Sequence, residues 1–339
     1  MPIETKNGIK NKILERVENT AAFSKENSKV KDKRITTDMI PNIYCEKELV
    51  EAFRKEAKEK KWLYTTLMNE ILRERYGKGN KKMKMISFCN KKGGVGKTTL
   101  CKNIAYKLAL ENKKVLVIDL DSQDTITLEL QQDNTDIKKT MAKIIASVED
   151  ISIDKIIQKS KYKNIDIIAS SENVRKSIFL IKDLYKEKEK YLIGDLIYKI
   201  NKNIFDNYDY VLIDYPPTVD ELSLNYLLIS DLILIPINSG IGSYKGIVDL
   251  KNTLNYITNI DKRDMPVIKL VFNNIKDNEN TSNILDWLKE KKYSNYLVTT
   301  NIKNSDTFIK TENDLSSIWD SQYYWRQKQA YEELIKEII

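Results

Sequence analysis

From residue 85 onward, short apolar runs alternate with longer amphipathic ones. MISFCN (85–90), KVLVIDLD (114–121), YDYVLIDYPP (208–217), DLILIPIN (231–238), VIKLVFNN (267–274) and NYLVTTNI (295–302) are nearly continuous apolar stretches of strand length. The segments between them are long enough for helices. Strands apolar on both faces belong in a parallel sheet covered on each side by helices, so the pattern predicts an α/β fold. The final stretch QKQAYEELIKEII carries an apolar stripe at helical spacing (Ala330, Tyr331, Leu334, Ile335, Ile338) and reads as a helix closing the core of this domain.

The first quarter of the chain is different. Residues 1–33 are polar and charged without a sustained period, and read as a flexible basic arm with a candidate helix around 12–22. The pattern tightens over 34–76, and GKGNKKMK (77–84) has the glycines and lysines of a helix stop followed by a linker. The expected organisation is therefore arm (1–33), small domain (34–76), linker (77–84) and large α/β domain (85–339). There is no internal repeat.

Charge reinforces that division. Residues 1–84 hold 21 Lys and Arg against 13 Asp and Glu, which is the whole +8 of the chain, whereas the remainder is balanced at 36 each. A basic module joined to a neutral one predicts an anionic partner for the first part, with nucleic acid favoured over a membrane. No apolar run reaches bilayer length and residues 1–12 lack the apolar middle of a signal peptide, so the expected location is the cytoplasm. Cys45, Cys89 and Cys101 match no zinc spacing and read as reduced residues. The chain has no histidine, which excludes histidine triads and histidine general bases; carboxylates, Lys, Tyr and bound Mg²⁺ remain as available chemistry.

The densest chemistry lies in KKGGVGKTT (91–99), at a strand-to-helix junction. Gly93, Gly94 and Gly96 let backbone N–H groups, including that of Val95, approach phosphate oxygens. The helix N-terminus adds its partial positive charge, Lys97 reaches the β- and γ-phosphates, and the Thr98 hydroxyl, followed by Thr99, is placed for Mg²⁺. The loop carries lysine where the usual pattern asks for its first glycine.

With KGGVGKT standing from Lys92 to Thr98, this region resembles the ParA/MinD family of deviant P-loop ATPases. The resemblance implies an ATP-driven sandwich dimer in which Lys92 of one copy reaches phosphate bound by the other. VLVIDLDSQ (115–123) resembles the family's DLDPQ box, with Ser122 in place of its proline. It implies that Asp119 organises the Mg²⁺ shell and Asp121 positions the attacking water. YDYVLIDYPPT (208–218) resembles the second acidic strand, implying Asp214 as a metal ligand and Pro216–Pro217 as the start of a switch segment. Asn273 matches the position near the adenine in relatives, with Asn274 an alternative. The resemblance runs from 85 to about 339. It implies slow basal hydrolysis of ATP, stimulated by a partner.

The segment from Met39 to Gly77 resembles a ribbon-helix-helix DNA-binding domain: an alternating strand, a helix with Leu49, Val50, Phe53 and Ala57 on one face, a turn, and a second helix with Leu67, Met68, Ile71 and Leu72 inward. That family pairs two copies through their strands. The match implies that Asn42 and Tyr44 face the bases, and that Tyr64 and Thr65 hold phosphate at the start of the second helix. A helical hairpin serving dimerisation alone is the competing reading, and Pro41 and Trp62 depart from the family pattern.

Three functions are weighed. The first is a ParA-type partition ATPase, a homodimer with bound ATP and Mg²⁺, acting on DNA with a ParB-like centromere-binding partner and repressing its own operon. The second is a transcriptional regulator whose oligomeric state ATP sets. The third, a MinD-like membrane-positioning ATPase, would want a basic amphipathic C-terminal helix; Glu332, Glu333 and Glu337 outnumber Lys328 and Lys336, so no membrane partner is expected.

Overall fold

The structure is a computed structural model; it describes residues 46–59, 64, 67, 68, 83–146, 152–184, 191–240, 242–261, 264–276 and 278–339. The chain divides between Lys82 and Met83, with 14–82 forming one unit and 83–339 lying in the other.

In the smaller unit the described residues include helix α1 (Lys47–Glu59). Ala57 and Leu67 are buried, and the rings of Phe53 and Tyr64 pack with centroids 5.9 Å apart. Leu49 and Met68, expected to face inward, are 62% and 40% exposed. At 100° per residue Leu49 and Val50 are the two edges of a stripe centred on Phe53 and Ala57, and the Leu49 edge is the exposed one. The sequence-predicted strand with Asn42, Tyr44 and Cys45, and Thr65, Ile71 and Leu72 of the second helix, lie outside the described residues.

The larger unit is built on one sheet. Its strands are β1 (Lys84–Phe88), β2 (Val115–Asp119), β3 (Gln158–Lys159), β4 (Ile165–Ile168), β5 (Tyr210–Asp214), β6 (Leu232–Ile237), β7 (Val267–Ile275) and β8 (Leu297–Lys303), in the order β3-β4-β2-β5-β1-β6-β7-β8. Every pairing is parallel except the short β3–β4. All six apolar runs became strands; β3 and β4 were not anticipated.

The helices described between and after these strands are α2 (Lys97–Leu110), α3 (Thr125–Leu130), α4 (Met141–Ala146), α5 (Val174–Leu184), α6 (Ile193–Ile200), α7 (Lys202–Phe205), α8 (Glu221–Leu227), α9 (Gly242–Asp261), α10 (Glu279–Glu290), α11 (Asp306–Asn313) and α12 (Trp325–Ile338). Alternate strand residues feed two cores. Met85, Leu116, Ile118, Val211, Ile213, Ile233 and Ile235 point into one; Ile86, Phe88, Val115, Val117, Leu212 and Leu234 point into the other, beneath α2 and α12.

The C-terminal helix closes that second core. Tyr331, Leu334, Ile335 and Ile338 are buried, each worth roughly 1.5–3 kcal/mol relative to exposure. The Tyr331 hydroxyl donates to the Thr99 carbonyl (3.3 Å), and the Trp319 indole N–H donates to Asn103 O (2.9 Å), so this region braces the helix that follows the glycine loop. Cys89 and Cys101 are buried free thiols. No described helix is long and apolar enough to cross a membrane.

Candidate active site

The loop from β1 to α2 ends on a left-handed residue. Gly96, at φ 83°, caps α2 and offers no side chain to its first N–H groups, which are left facing the loop. A side chain here would be strained, and a Cβ would fall 2.2 Å from Nδ2 of Asn273. Gly94 is also left-handed, at φ 67°. These glycines shape a cradle of backbone donors at the end of a helix long enough to carry a useful dipole.

Register brings the acids to the loop. Asp119 and Asp214 close adjacent strands β2 and β5 and pair directly across the ladder, while Phe88 of β1 pairs with Asp214 on its other side. Asp214 is 1% exposed; the Thr98 hydroxyl donates to its Oδ2 (2.7 Å), whereas Oδ1 is buried with no hydrogen-bond partner. Burial pushes this carboxyl up to about 7, against the pull of the Thr98 hydrogen bond and the Lys97 charge. Asp119 is also raised, first by burial and then by Asp214 beside it.

The unpartnered Asp214 Oδ1 is a buried acceptor on the same carboxylate that the Thr98 hydroxyl engages. This donor set fits Mg²⁺, a hard ion that takes one or two protein oxygens and completes its shell with phosphate and water. The described residues contain no group of three or more His, Cys, Asp or Glu that would suit an all-protein metal cage.

Asp119 is held by three donors: the Thr127 hydroxyl (2.7 Å) and backbone N–H (3.1 Å) to Oδ2, and the Asp121 N–H (2.9 Å) to Oδ1. The Thr127 hydroxyl in turn accepts from Ser170 N–H (2.9 Å). Nothing in TITLEL marks Thr127 in advance; its role arises because α3 folds back over the end of β2. Asp121 is half-buried, and its Oδ1 accepts from Gln123 N–H (3.0 Å). Ser122 accepts from Arg175 Nε (2.8 Å), tying the box to the start of α5.

The two signature lysines part company. Lys97 is buried, its ammonium lies 3.4 Å from the Lys92 carbonyl, and desolvation lowers its pKa. Lys92 instead directs its ammonium to Asn238 Oδ1 (2.9 Å), just beyond β6, while its N–H donates to Asn90 Oδ1 (2.9 Å). Asn90 is anchored by donating to Pro236 O (2.7 Å). Asn273 is buried and donates to Val95 O (2.7 Å), so in this structure its amide braces the glycine loop from beneath. Asn274, at φ 55°, is left-handed and pairs with Asn304. Thr99 contributes its carbonyl to Asn103 Nδ2 (2.9 Å) as well as to Tyr331.

Of the sequence-predicted site, Gly93–Thr99, Asp119, Asp121, Asp214 and Asn273 gather at the C-terminal ends of β1, β2, β5 and β7. Tyr64 belongs to the other unit and is 57% exposed; Asn42, Tyr44 and Thr65 lie outside the described residues.

A glycine cradle feeding an uncapped helix, with two in-register acids beside it, defines a P-loop nucleotide-binding fold. Residues 83–267 match the AAA domain family (AAA_31), more than half of the 339 residues, and the chain belongs to that family. It is 31% identical over 175 residues to the sporulation initiation inhibitor protein Soj of Bacillus subtilis, covering 51% of this chain and 66% of Soj. To the virulence plasmid ParA family protein pGP5-D of Chlamydia psittaci it is 28% identical over 261 residues, covering 76% and 94%. A plasmid partition protein of Borrelia burgdorferi, solved with AMPPNP bound, shares the fold at TM-score 0.59 and 24% identity, covering 76% of this chain and all of that one. The chain spans about half to two thirds of the length of several curated relatives.

Proposed function

We propose that this protein is a ParA-type partition ATPase that hydrolyses ATP with Mg²⁺ and acts on DNA in the cytoplasm, at the nucleoid, as an ATP-dependent homodimer. The observation that carries the reading is the separation of the two lysines. Lys97 turns back onto its own loop, whereas the Lys92 ammonium is held on Asn238 beyond β6, and on this reading it serves a facing copy's phosphates. The likeness to Soj, pGP5-D and the Borrelia partition protein supports the same reading.

In this mechanism the loop N–H groups of Gly93 to Thr99 and the start of α2 bind the β- and γ-phosphates, and Lys97 neutralises the charge that develops as the terminal phosphoryl group leaves. Thr98 and Asp214 would hold Mg²⁺, with Asp119 organising its water shell, and the bound ion would neutralise phosphate charge. Asp121 orients a water in line with the γ-phosphorus and accepts its proton as the P–O bond to ADP breaks. Asn273 keeps the loop in shape from below, beside the nucleotide. Lys92 completes the pocket of the other copy, so that pairing and occupancy become one equilibrium. Basal turnover is slow and is raised by a ParB-like centromere-binding protein.

The small N-terminal unit supplies sequence-specific DNA binding through Asn42 and Tyr44 at the bases and Tyr64 and Thr65 at phosphate, with repression of the protein's own operon. The organisation into arm (1–33), DNA-binding domain (34–76), linker (77–84) and ATPase domain (85–339) is part of this proposal. The membrane-positioning alternative loses its support because the apolar face of α12 is spent on the core.

The test is Lys92→Ala. Sedimentation should show that wild type dimerises with Mg²⁺ and a non-hydrolysable ATP analogue, while the variant binds the analogue as a monomer. Unchanged ATP-dependent pairing and turnover in the variant would remove the proposal's foundation.

A further inference from the structure

At the end of the sheet opposite the glycine loop, the beginnings of β2, β4 and β5 border an open cleft of about 630 Å³. Register builds it: Val115 pairs with both Ile165 and Tyr210, and its N–H donates to Asn164 O (2.9 Å), which brings Lys114 alongside the turn before β4. Four lysines line this cleft, Lys114, Lys159, Lys161 and Lys163. The lining includes a single acid, Asp166, and it is engaged by the Lys159 ammonium (2.9 Å) and the Tyr208 hydroxyl (2.8 Å). Nearby, the Asp209 carboxylate accepts Lys114 N–H (2.8 Å). Lys161 donates to Leu315 O (3.0 Å) and sits 5.5 Å over the Tyr162 ring. Residues 85–339 balance their charges, so this surplus of one sign is made by folding.

Lys159, Lys161 and Lys163 are presented on a braced hairpin. Tyr162 packs edge-on against Tyr106 of α2 (centroids 4.3 Å apart), Lys161 N–H donates to Leu130 O (2.9 Å), and Gln132 Nε2 donates to Ser160 O (2.7 Å). The cleft is open, and two of its cations are held by separate partners, Lys159 on Asp166 and Lys161 on Leu315 O. That arrangement matches a chain of phosphates better than one phosphate.

We propose that this cleft binds the phosphodiester backbone of duplex DNA without regard to sequence, on a surface remote from the nucleotide. The proposal rests on the DNA-acting function above and gives it a location. Each lysine that neutralises a phosphate releases a counterion, so affinity should fall with salt in proportion to the lysines engaged.

The experiment uses the full chain with Mg²⁺ and a non-hydrolysable ATP analogue, a mixed-sequence duplex, and a salt series. Replacing Lys114, Lys161 and Lys163 together by alanine should make the slope of log affinity on log salt shallower by about 0.9 per lost contact, roughly 2 to 3 in total. Arginine at the same positions should restore the slope, and nucleotide binding should be unchanged. A triple variant with the wild-type slope would overturn the cleft while leaving the partition reading standing; so would competition by millimolar orthophosphate, which would mark a single-phosphate pocket. A wild-type protein that binds no duplex with any nucleotide would sink both.

Discussion

The two ends of β2 and β5 both concern anions and use opposite means. At the C-terminal end Asp119 and Asp214 are buried, Lys97 is buried beside them, and removal of water shifts all three toward their neutral forms. Each charge there interacts strongly and demands a specific partner. At the N-terminal end Lys114, Lys159, Lys161 and Lys163 are exposed. Each is screened by salt and worth little, so binding there can come only from number. Burial, more than sign, sets what one side chain contributes.

The largest break in that comparison should come from Asp121→Ala. Asp121 lies half-buried at the C-terminal end and its proposed task is confined to the transition state. Phosphate release should fall by about 10²- to 10³-fold, the scale seen when one positioned catalytic group is lost, with nucleotide affinity changed only severalfold. An equal loss in both quantities would make Asp121 a binding residue. The same substitution should leave the salt slope for DNA untouched.

How much of this could be read from the chain differs at the two ends for a physical reason. The glycine loop and its strand are contiguous, and Asp119 and Asp214 each end a conspicuous apolar run, so local pattern located them. The pairing of Asp119 with Asp214 depends on β2 lying beside β5, which pattern alone does not reveal. Thr127 was invisible because its contact depends on the return of α3, and nothing local to LVFNN shows that the Asn273 amide bonds to the loop. The short strand IDII follows a lysine-rich stretch and carries too few residues to show a period. The lysine cleft joins Lys114 to 159–163 only after β2 and β4 pair, so no window of sequence contains it.

Acid titration sharpens the contrast. Asp214 has its carboxyl pushed up from 3.8 to about 7, so the folded state binds its proton more tightly than the unfolded state does. Its stabilising contribution is therefore present below about pH 4 and is lost as pH rises towards 7, with a steepest slope of about 1.4 kcal/mol per pH unit. Because Asp119 couples to it, the pair shares that change. Denaturant unfolding without nucleotide should show wild type losing stability relative to Asp214→Asn across this window, with the difference flat above it. Parallel curves for the two proteins would mean that Asp214 is solvated. Alanine in place of the exposed Lys163 should give no such pH-dependent difference.

A smaller effect should follow from Thr127→Val, which nearly preserves volume while removing a hydroxyl. That hydroxyl donates to Asp119 Oδ2 and accepts from Ser170 N–H, so its loss leaves two buried polar groups short of a partner, at a cost of about 1–3 kcal/mol. Thr127 N–H still donates to the same oxygen, which keeps the expectation toward the lower figure. Thr127→Ser should recover most of the loss, because it restores the hydroxyl and gives up only a methyl group. If Thr127 matters because it aims Asp119, the valine variant should also need more Mg²⁺ to reach half-maximal turnover, and serine should reverse that shift. A valine variant that loses stability with an unchanged Mg²⁺ requirement would make Thr127 a packing residue. The aim of Asp119 would then rest on the N–H groups of Asp121 and Thr127, whose positions the backbone of β2 and α3 already sets.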